Sequence, residues 1–165
     1  MSSSSLRLVL MRHAKSSWKS GAPTDHARPL NGRGRRAAPK VAAELVRLGW
    51  VPDLVLSSDA ARTRETWERM RPVLGEAKII LRHELYMAGV EELRLALAAR
   101  GDGQTVLALG HNPGWEEALA WLSGHQEVLK TADAALLSSS ATSWAQSVGT
   151  PRLWSLEGLV RARAL

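Results

Sequence analysis

Five residues carry side chains suited to phosphoryl chemistry: Arg12 and His13 in Met11-Arg12-His13-Ala14, Arg62 in the segment from Ser57 to Thr63, Glu84 in Arg82-His83-Glu84-Leu85, and His111 in Gly110-His111-Asn112-Pro113-Gly114. Two guanidiniums beside a helix N-terminus suit a doubly charged tetrahedral anion. The planar fork of arginine binds paired oxygens, and free backbone N–H groups face the charge. A neutral imidazole, with a reference pKa of about 6.5, is a competent nucleophile near neutrality. Its attack on phosphorus would form a phosphohistidine, with the arginines offsetting charge in transit. Glu84 would protonate the leaving oxygen and then serve as base for the incoming water. Taken singly, each residue has a plainer reading. A histidine at a strand end is more often structural than catalytic, and Arg62 could pair along its helix with Glu65 or Glu68. Their convergence is the argument.

That convergence depends on the elements that carry them. Leu6 to Met11 reads as a short buried strand, and Gly, Pro and Asn mark a long loop from Gly21 to Gly34. From about Asn31 to Leu48 the pattern is helical, with Val41, Leu45 and Leu48 on one stripe, and Pro39 predicts either a kink or a later start. Further strands are expected at Asp53 to Ser57, Lys78 to Leu81 and Thr105 to Leu109. Helices are expected at Ala60 to Leu74, Val90 to Ala99 and Pro113 to Leu122. Pro113 suits a first helical position, which would leave backbone donors free beside His111. Two weaker segments, Ala134 to Ser138 and Leu153 to Leu159, read as edge strands. Strands alternating with helices predict a three-layer α/β/α sandwich with a mostly parallel central sheet. Ligands of such sheets bind beyond the carboxyl ends of the strands, where all five residues fall.

The chain has 165 residues, the length of one domain over 1–165, and no repeat or low-complexity linker divides it. Cys is absent, which excludes disulfide scaffolds, thiolate metal sites and cysteine-nucleophile enzymes, the tyrosine-phosphatase route among them. No Asp-x-Asp offers an aspartyl-phosphate route and no Gly-x-x-x-x-Gly-Lys loop a nucleotide hydrolase. The net charge of +6 comes with many more arginines than lysines, which points mildly to anionic partners; a GC-rich coding bias would give the same surplus. No apolar run reaches the roughly 18 residues of a membrane helix, and Leu6 to Met11 is too short for a signal-peptide core, so a soluble cytoplasmic protein without a membrane partner is expected.

Arg12-His13 after the first strand, Ser57 through Arg62 and Thr66 after the second, and Gly110-His111 after the fourth together resemble the histidine phosphatase superfamily, which includes the cofactor-dependent phosphoglycerate mutases and the acid phosphatases. The short length and the segment Met11 to Trp18 look most like its small SixA-like branch, with further matches at Asp25, Arg28-Pro29-Leu30, Gly34, Gly110 to Gly114 and Thr131. The resemblance spans about Leu6 to Thr142. It implies a phosphoglycerate mutase-like fold, His13 as the phosphorylated nucleophile, and a phosphate pocket of Arg12, Arg62 and His111. Glu84 falls where members of that branch carry an acid. No metal or other cofactor is implied. The implied substrate is a phosphorylated small molecule or a phosphohistidine-bearing signalling protein. One departure is Ala14, where the family usually has glycine; its methyl group would narrow backbone approach.

Other residues have weaker claims. His83 and His125 read as structural or exposed, His26 as a rim residue, and Lys15 and Trp18 as candidates for the entrance. The basic run Arg33, Arg35, Arg36 and Lys40 reads as a solvated face, or else as a flank that holds a charged substrate. The alternatives to a phosphatase are a mutase, which would need longer insertions to retain its substrate, and a non-catalytic phosphate or nucleic-acid binding module. The latter needs arginines interleaved with exposed aromatics, which this chain lacks, so no nucleic-acid partner is expected.

Overall fold

In the first strand Leu8 and Leu10 pack into one core, while Val9 and Met11 pack into another. This is the period-two alternation of a strand covered on both faces. The computed structural model describes residues 5–101 and 105–165; the polar opening of the chain, residues 1–4, lies outside them. The strands are β1 (Leu6–Arg12), β2 (Leu54–Ser58), β3 (Lys78–Arg82), β4 (Thr105–Gly110), β5 (Ala134–Ser139) and β6 (Ser155–Val160). The helices are α1 (Gly32–Leu48), α2 (Ala61–Leu74), α3 (Val90–Ala98), α4 (Gly114–Ser123) and the short α5 (Trp144–Ser147).

All six strands form one sheet in the order β3-β2-β4-β1-β5-β6. The first four strands are parallel to one another, and β5 runs antiparallel to both β1 and β6. Val41 and Leu45 of α1 join Trp67 and Met70 of α2 in the core on one face. On the other face Leu93 and Leu97 of α3 pack with Trp115, Leu119 and Leu122 of α4 and with Trp144. The expected three-layer α/β/α sandwich is therefore the fold. No helix among the described residues is long and apolar enough to cross a membrane.

The helix over Pro39 settles one alternative left by the sequence, its start, and two other details differ from the expectation. Helix α1 begins at Gly32 and runs through Pro39, capped by the Asn31 side chain, which accepts from the Gly34 N–H at 2.9 Å. Its seat is enforced by Gly34, where any Cβ would collide with the Lys15 carbonyl oxygen. Strand β5 is not an edge, because the sheet continues through β6. Pro113 immediately precedes α4 rather than opening it, and the Trp115 N–H is already taken by the His111 carbonyl at 3.0 Å. That donor is not free for a ligand.

Candidate active site

Strands β1 and β4 are parallel neighbours with Arg12 opposite Gly110, so His13 and His111 leave the same edge of the sheet side by side. The His13 N–H donates to the Gly110 carbonyl at 3.1 Å, and the two rings lie 5.3 Å apart between centroids. Together with Arg12 and Arg62 they line a cavity of about 320 Å³. Register, rather than any local motif, brings the two histidines together.

His13 is only 6% exposed, and its Nδ1 lies 2.7 Å from the Ala14 carbonyl oxygen. A carbonyl can only accept, so Nδ1 holds the proton and Nε2 keeps its lone pair. Burial first, then the neighbouring Arg62, Arg12 and Arg28, push its pKa down to about 3, and the ring stays neutral. The loop that holds it is pinned by Thr66, whose hydroxyl accepts from the Ala14 N–H at 3.0 Å and donates to the Arg62 carbonyl at 2.7 Å. Thr66→Val is near-isosteric but removes this link. We expect it to lower kcat about tenfold, as read by steady-state kinetics, and to lower Tm by several degrees, because the buried Ala14 N–H loses its acceptor.

His111 is buried, with Nε2 at 2.8 Å from the Ser58 hydroxyl oxygen. That hydroxyl already accepts from the Ala60 N–H at 3.2 Å, so it is suited to donate to His111, which leaves Nδ1 with the proton. Burial again comes first, then His13 and Arg62, in lowering the His111 pKa to about 3. Four buried side-chain atoms among the described residues have no protein partner: His111 Nδ1, Arg12 Nε, Arg62 Nε and Asn112 Oδ1. Every one belongs to a residue lining this cavity. Buried polar atoms are normally paired, so these three unpaired nitrogens mark where an anion would be held.

Arg62 does not pair along its own helix. It reaches Asp25 instead, donating to the Asp25 carbonyl at 2.8 Å and to Oδ2 at 3.1 Å. Glu65 is occupied by Arg35 at 2.6 Å and Arg69 at 3.5 Å. Asp25 also takes the Tyr86 hydroxyl at 2.5 Å and Arg28 Nε at 3.0 Å. The Tyr86 donor first, with Arg28 and Arg62, holds the Asp25 carboxyl well below the usual carboxylate range. Asp25, Arg28 and Tyr86 are thus parts of the site that had no assigned role in the sequence.

Glu84 is the correction. It lines a separate groove with Arg82, Leu95 and Arg100, not the cavity of His13. The cause is a 3₁₀ turn over His83–Leu85 after β3, itself the far edge strand. Residues three apart eclipse one another in such a turn, so the rings of His83 and Tyr86 lie together against His26, outside the cavity wall, while Glu84 is rotated away. Asp25 is the carboxylate on the cavity wall. We expect Glu84→Gln to leave kcat and kcat/KM within about twofold of wild type for every leaving group.

The remaining candidates divide cleanly. Trp18 is 77% exposed at the cavity mouth, with Arg28 stacked 3.5 Å from its ring centroid, and Lys15 lies beside it. Met87 and Ala132 both adopt left-handed φ, 53° and 66°; Met87 lines the cavity, and the Ala132 N–H donates to the His13 carbonyl at 2.9 Å. Such strain gathers at functional sites. The basic run contributes nothing to the cavity wall: Arg35 pairs with Glu65, and Arg33, Arg36 and Lys40 are exposed. His125 is exposed, as expected.

Two neutral buried histidines give the fold a defined acid response. Their folded pKa values lie below the unfolded one, so between about pH 6.5 and pH 3 the unfolded chain binds protons that the folded chain refuses. Above about pH 6.5 both states hold these rings neutral and stability is undiminished; it is lost progressively as pH falls from there to about 3. Each contributes a slope of roughly 1.4 kcal/mol per pH unit. Urea titrations across that range should show the loss, and His13→Ala should remove about half of it.

The sequence profile of the histidine phosphatase superfamily (branch 1) matches residues 8–93, just over half of the chain. An uncharacterized chloroplastic protein of Arabidopsis thaliana is 42% identical over 169 residues, covering 94% of this chain and 78% of its own. Among solved structures, the protein of Nakamurella multipartitia assigned as a phosphohistidine phosphatase SixA has 30% identity and a TM-score of 0.84, covering 96% of this chain and 97% of its own. The corresponding protein from Agrobacterium tumefaciens has 28% identity and a TM-score of 0.81, covering 94% of this chain and 97% of its own. With the fold, the paired histidines and these likenesses in agreement, the chain belongs to branch 1 of the histidine phosphatase superfamily and is a phosphatase of its SixA-like group.

Proposed function

We propose that the protein hydrolyses phosphohistidine on a protein partner through a phosphoenzyme formed on His13. The observation that carries this reading is a neutral His13 whose Nδ1 is tied to a carbonyl, set in a cavity with unpaired Arg12, Arg62 and His111 nitrogens. In the first step Nε2 attacks phosphorus and its lone pair becomes the new P–N bond. The bond to the leaving group breaks, and its electron pair departs with that group. Arg12, Arg62 and His111 Nδ1 meet the charge on the equatorial oxygens. In the second step water attacks phosphorus, the His13 P–N bond breaks with its electron pair returning to Nε2, and inorganic phosphate leaves carrying the water's two protons, with neutral His13 restored.

The choice of leaving group rests on Asp25. It is the carboxylate on the cavity wall; its neighbours keep it ionised and engage both its oxygens, so it is a poor proton donor and a weak base, and the site offers an ester no acid there. A phosphorylated imidazole can carry its own proton and leave as a neutral ring; an alkoxide leaving group needs an acid. The exposed rim of Trp18 and Met87 leaves room for a protein surface around such a group.

The test is a panel of kcat/KM values for a phosphohistidine peptide, nitrophenyl phosphate and a simple alkyl phosphate. We expect that order, with the alkyl ester at least about tenfold below the nitrophenyl ester because its leaving group is the poorest. Equal values for alkyl phosphate and phosphohistidine would contradict the reading and favour a general phosphomonoesterase.

A further inference from the structure

Beside the phosphate cavity, three side chains outside its wall converge on one point. His26 Nε2 lies 2.7 Å from Asp59 Oδ1, and His83 Nδ1 lies 3.1 Å from both Asp59 oxygens. One ligand atom from each falls within 4.8 Å of the other two. We propose that His26, Asp59 and His83 form a binding site for a borderline divalent cation of the zinc type, separate from the phosphate cavity and tying together the loops that shape it.

The chemistry favours that class of ion. Two imidazole nitrogens and one carboxylate oxygen suit zinc, which bonds such atoms at roughly 2.0–2.2 Å and takes a fourth ligand from solvent. In a tetrahedral site with those bond lengths, paired ligand atoms stand roughly 3.3–3.6 Å apart. The two His–Asp pairs, at 2.7 and 3.1 Å, are already inside that distance, and the two ring nitrogens, within 4.8 Å of each other, need to close by up to about 1.5 Å to reach it. His83 can supply that movement, because its side chain is 70% exposed. Calcium and magnesium prefer all-oxygen sites and fit this set poorly.

The placement gives the site a structural consequence. Each ligand sits on a different loop, and each loop also carries a residue of the phosphate site. His26 follows Asp25, which holds Arg62. Asp59 follows Ser58, which holds His111. His83 opens the turn that ends in Tyr86, whose ring packs 4.8 Å from His26 and 5.5 Å from His111 between centroids. An ion bound here would therefore tie together the side chains of three neighbouring segments, without touching the reacting phosphorus.

The experiment titrates metal-free full-length protein with Zn²⁺ alone by calorimetry, and follows Co²⁺ binding by its visible absorption. We expect one equivalent to bind and to raise Tm. His83→Ala and Asp59→Asn should each weaken binding at least tenfold, since even partners behind a ligand commonly matter by that much. His83→Ala removes an exposed side chain, so its Tm without metal should match wild type, and histidine NMR should show His26 and His83 shifting while His125 does not. His13→Ala should bind Zn²⁺ normally. Unsaturable binding, unchanged affinity in His83→Ala, or loss of binding in His13→Ala would overturn the proposal, the last by placing the ion on the His13–His111 pair.

Discussion

Replacing His13 with alanine should lower kcat for every phosphorylated substrate by at least about a thousandfold, the scale expected if a covalent nucleophile is removed from an otherwise intact site. The size follows from the geometry. His13 Nε2 holds a lone pair in a buried cavity, and no second nucleophile there has the same preparation: His111 has Nε2 committed to Ser58 and its other nitrogen protonated. The loss should lie in kcat with little change in KM, because on this proposal Arg12, Arg62 and His111 would still hold the phosphoryl oxygens. Near-wild-type far-ultraviolet dichroism and a cooperative melt separate this from unfolding. A residual rate within tenfold of wild type would mean that water attacks phosphorus directly.

The second large effect belongs to Arg62. Arg62→Ala should lower kcat/KM by roughly 10²–10³, the range seen when a charge-stabilising donor is removed from a reacting centre. Two losses combine. The cavity loses a buried guanidinium, and Asp25 loses the partner that holds its carboxylate at 3.1 Å. A lysine should recover little of the activity, because a point charge cannot grip Asp25 and a phosphoryl oxygen in two directions at once. The inhibition constant of inorganic phosphate should rise in parallel with the loss of kcat/KM. Unchanged phosphate inhibition would show that Arg62 shapes the site without contacting the anion.

Much of this arrangement is legible in the residues themselves. Alternation in Leu8 to Met11 and in Val106 to Leu109 reveals strands covered on both faces, and the helical stripe of Val41 and Leu45 reveals a helix laid on one of them. Once the strands are known to be parallel, the residues after each one must share an edge, which is why Arg12, His13, Arg62 and His111 were recognisable together. The same rule says where a strand ends but not how the next turn is wound, so it does not reveal that Glu84 lies in a separate groove. One 3₁₀ step turned it away and brought His83 and Tyr86 together against His26. Asp25 stood within a matched segment but showed no role. It lies in a loop without periodicity, and its meaning comes from Arg62 and Tyr86, far along the chain. Contacts between loops leave no local pattern to read.

Phosphoryl transfer to residue 13 is the claim on which the rest depends. Its most direct test is a rapid-quench reaction with ³²P-labelled substrate, stopped within a turnover and mapped by peptide sequencing. A phosphoramidate is cleaved by acid and survives base, so the label should be base-stable, acid-labile and confined to the peptide containing His13. Label on serine or aspartate, or no protein-bound label under conditions of steady turnover, would contradict the account.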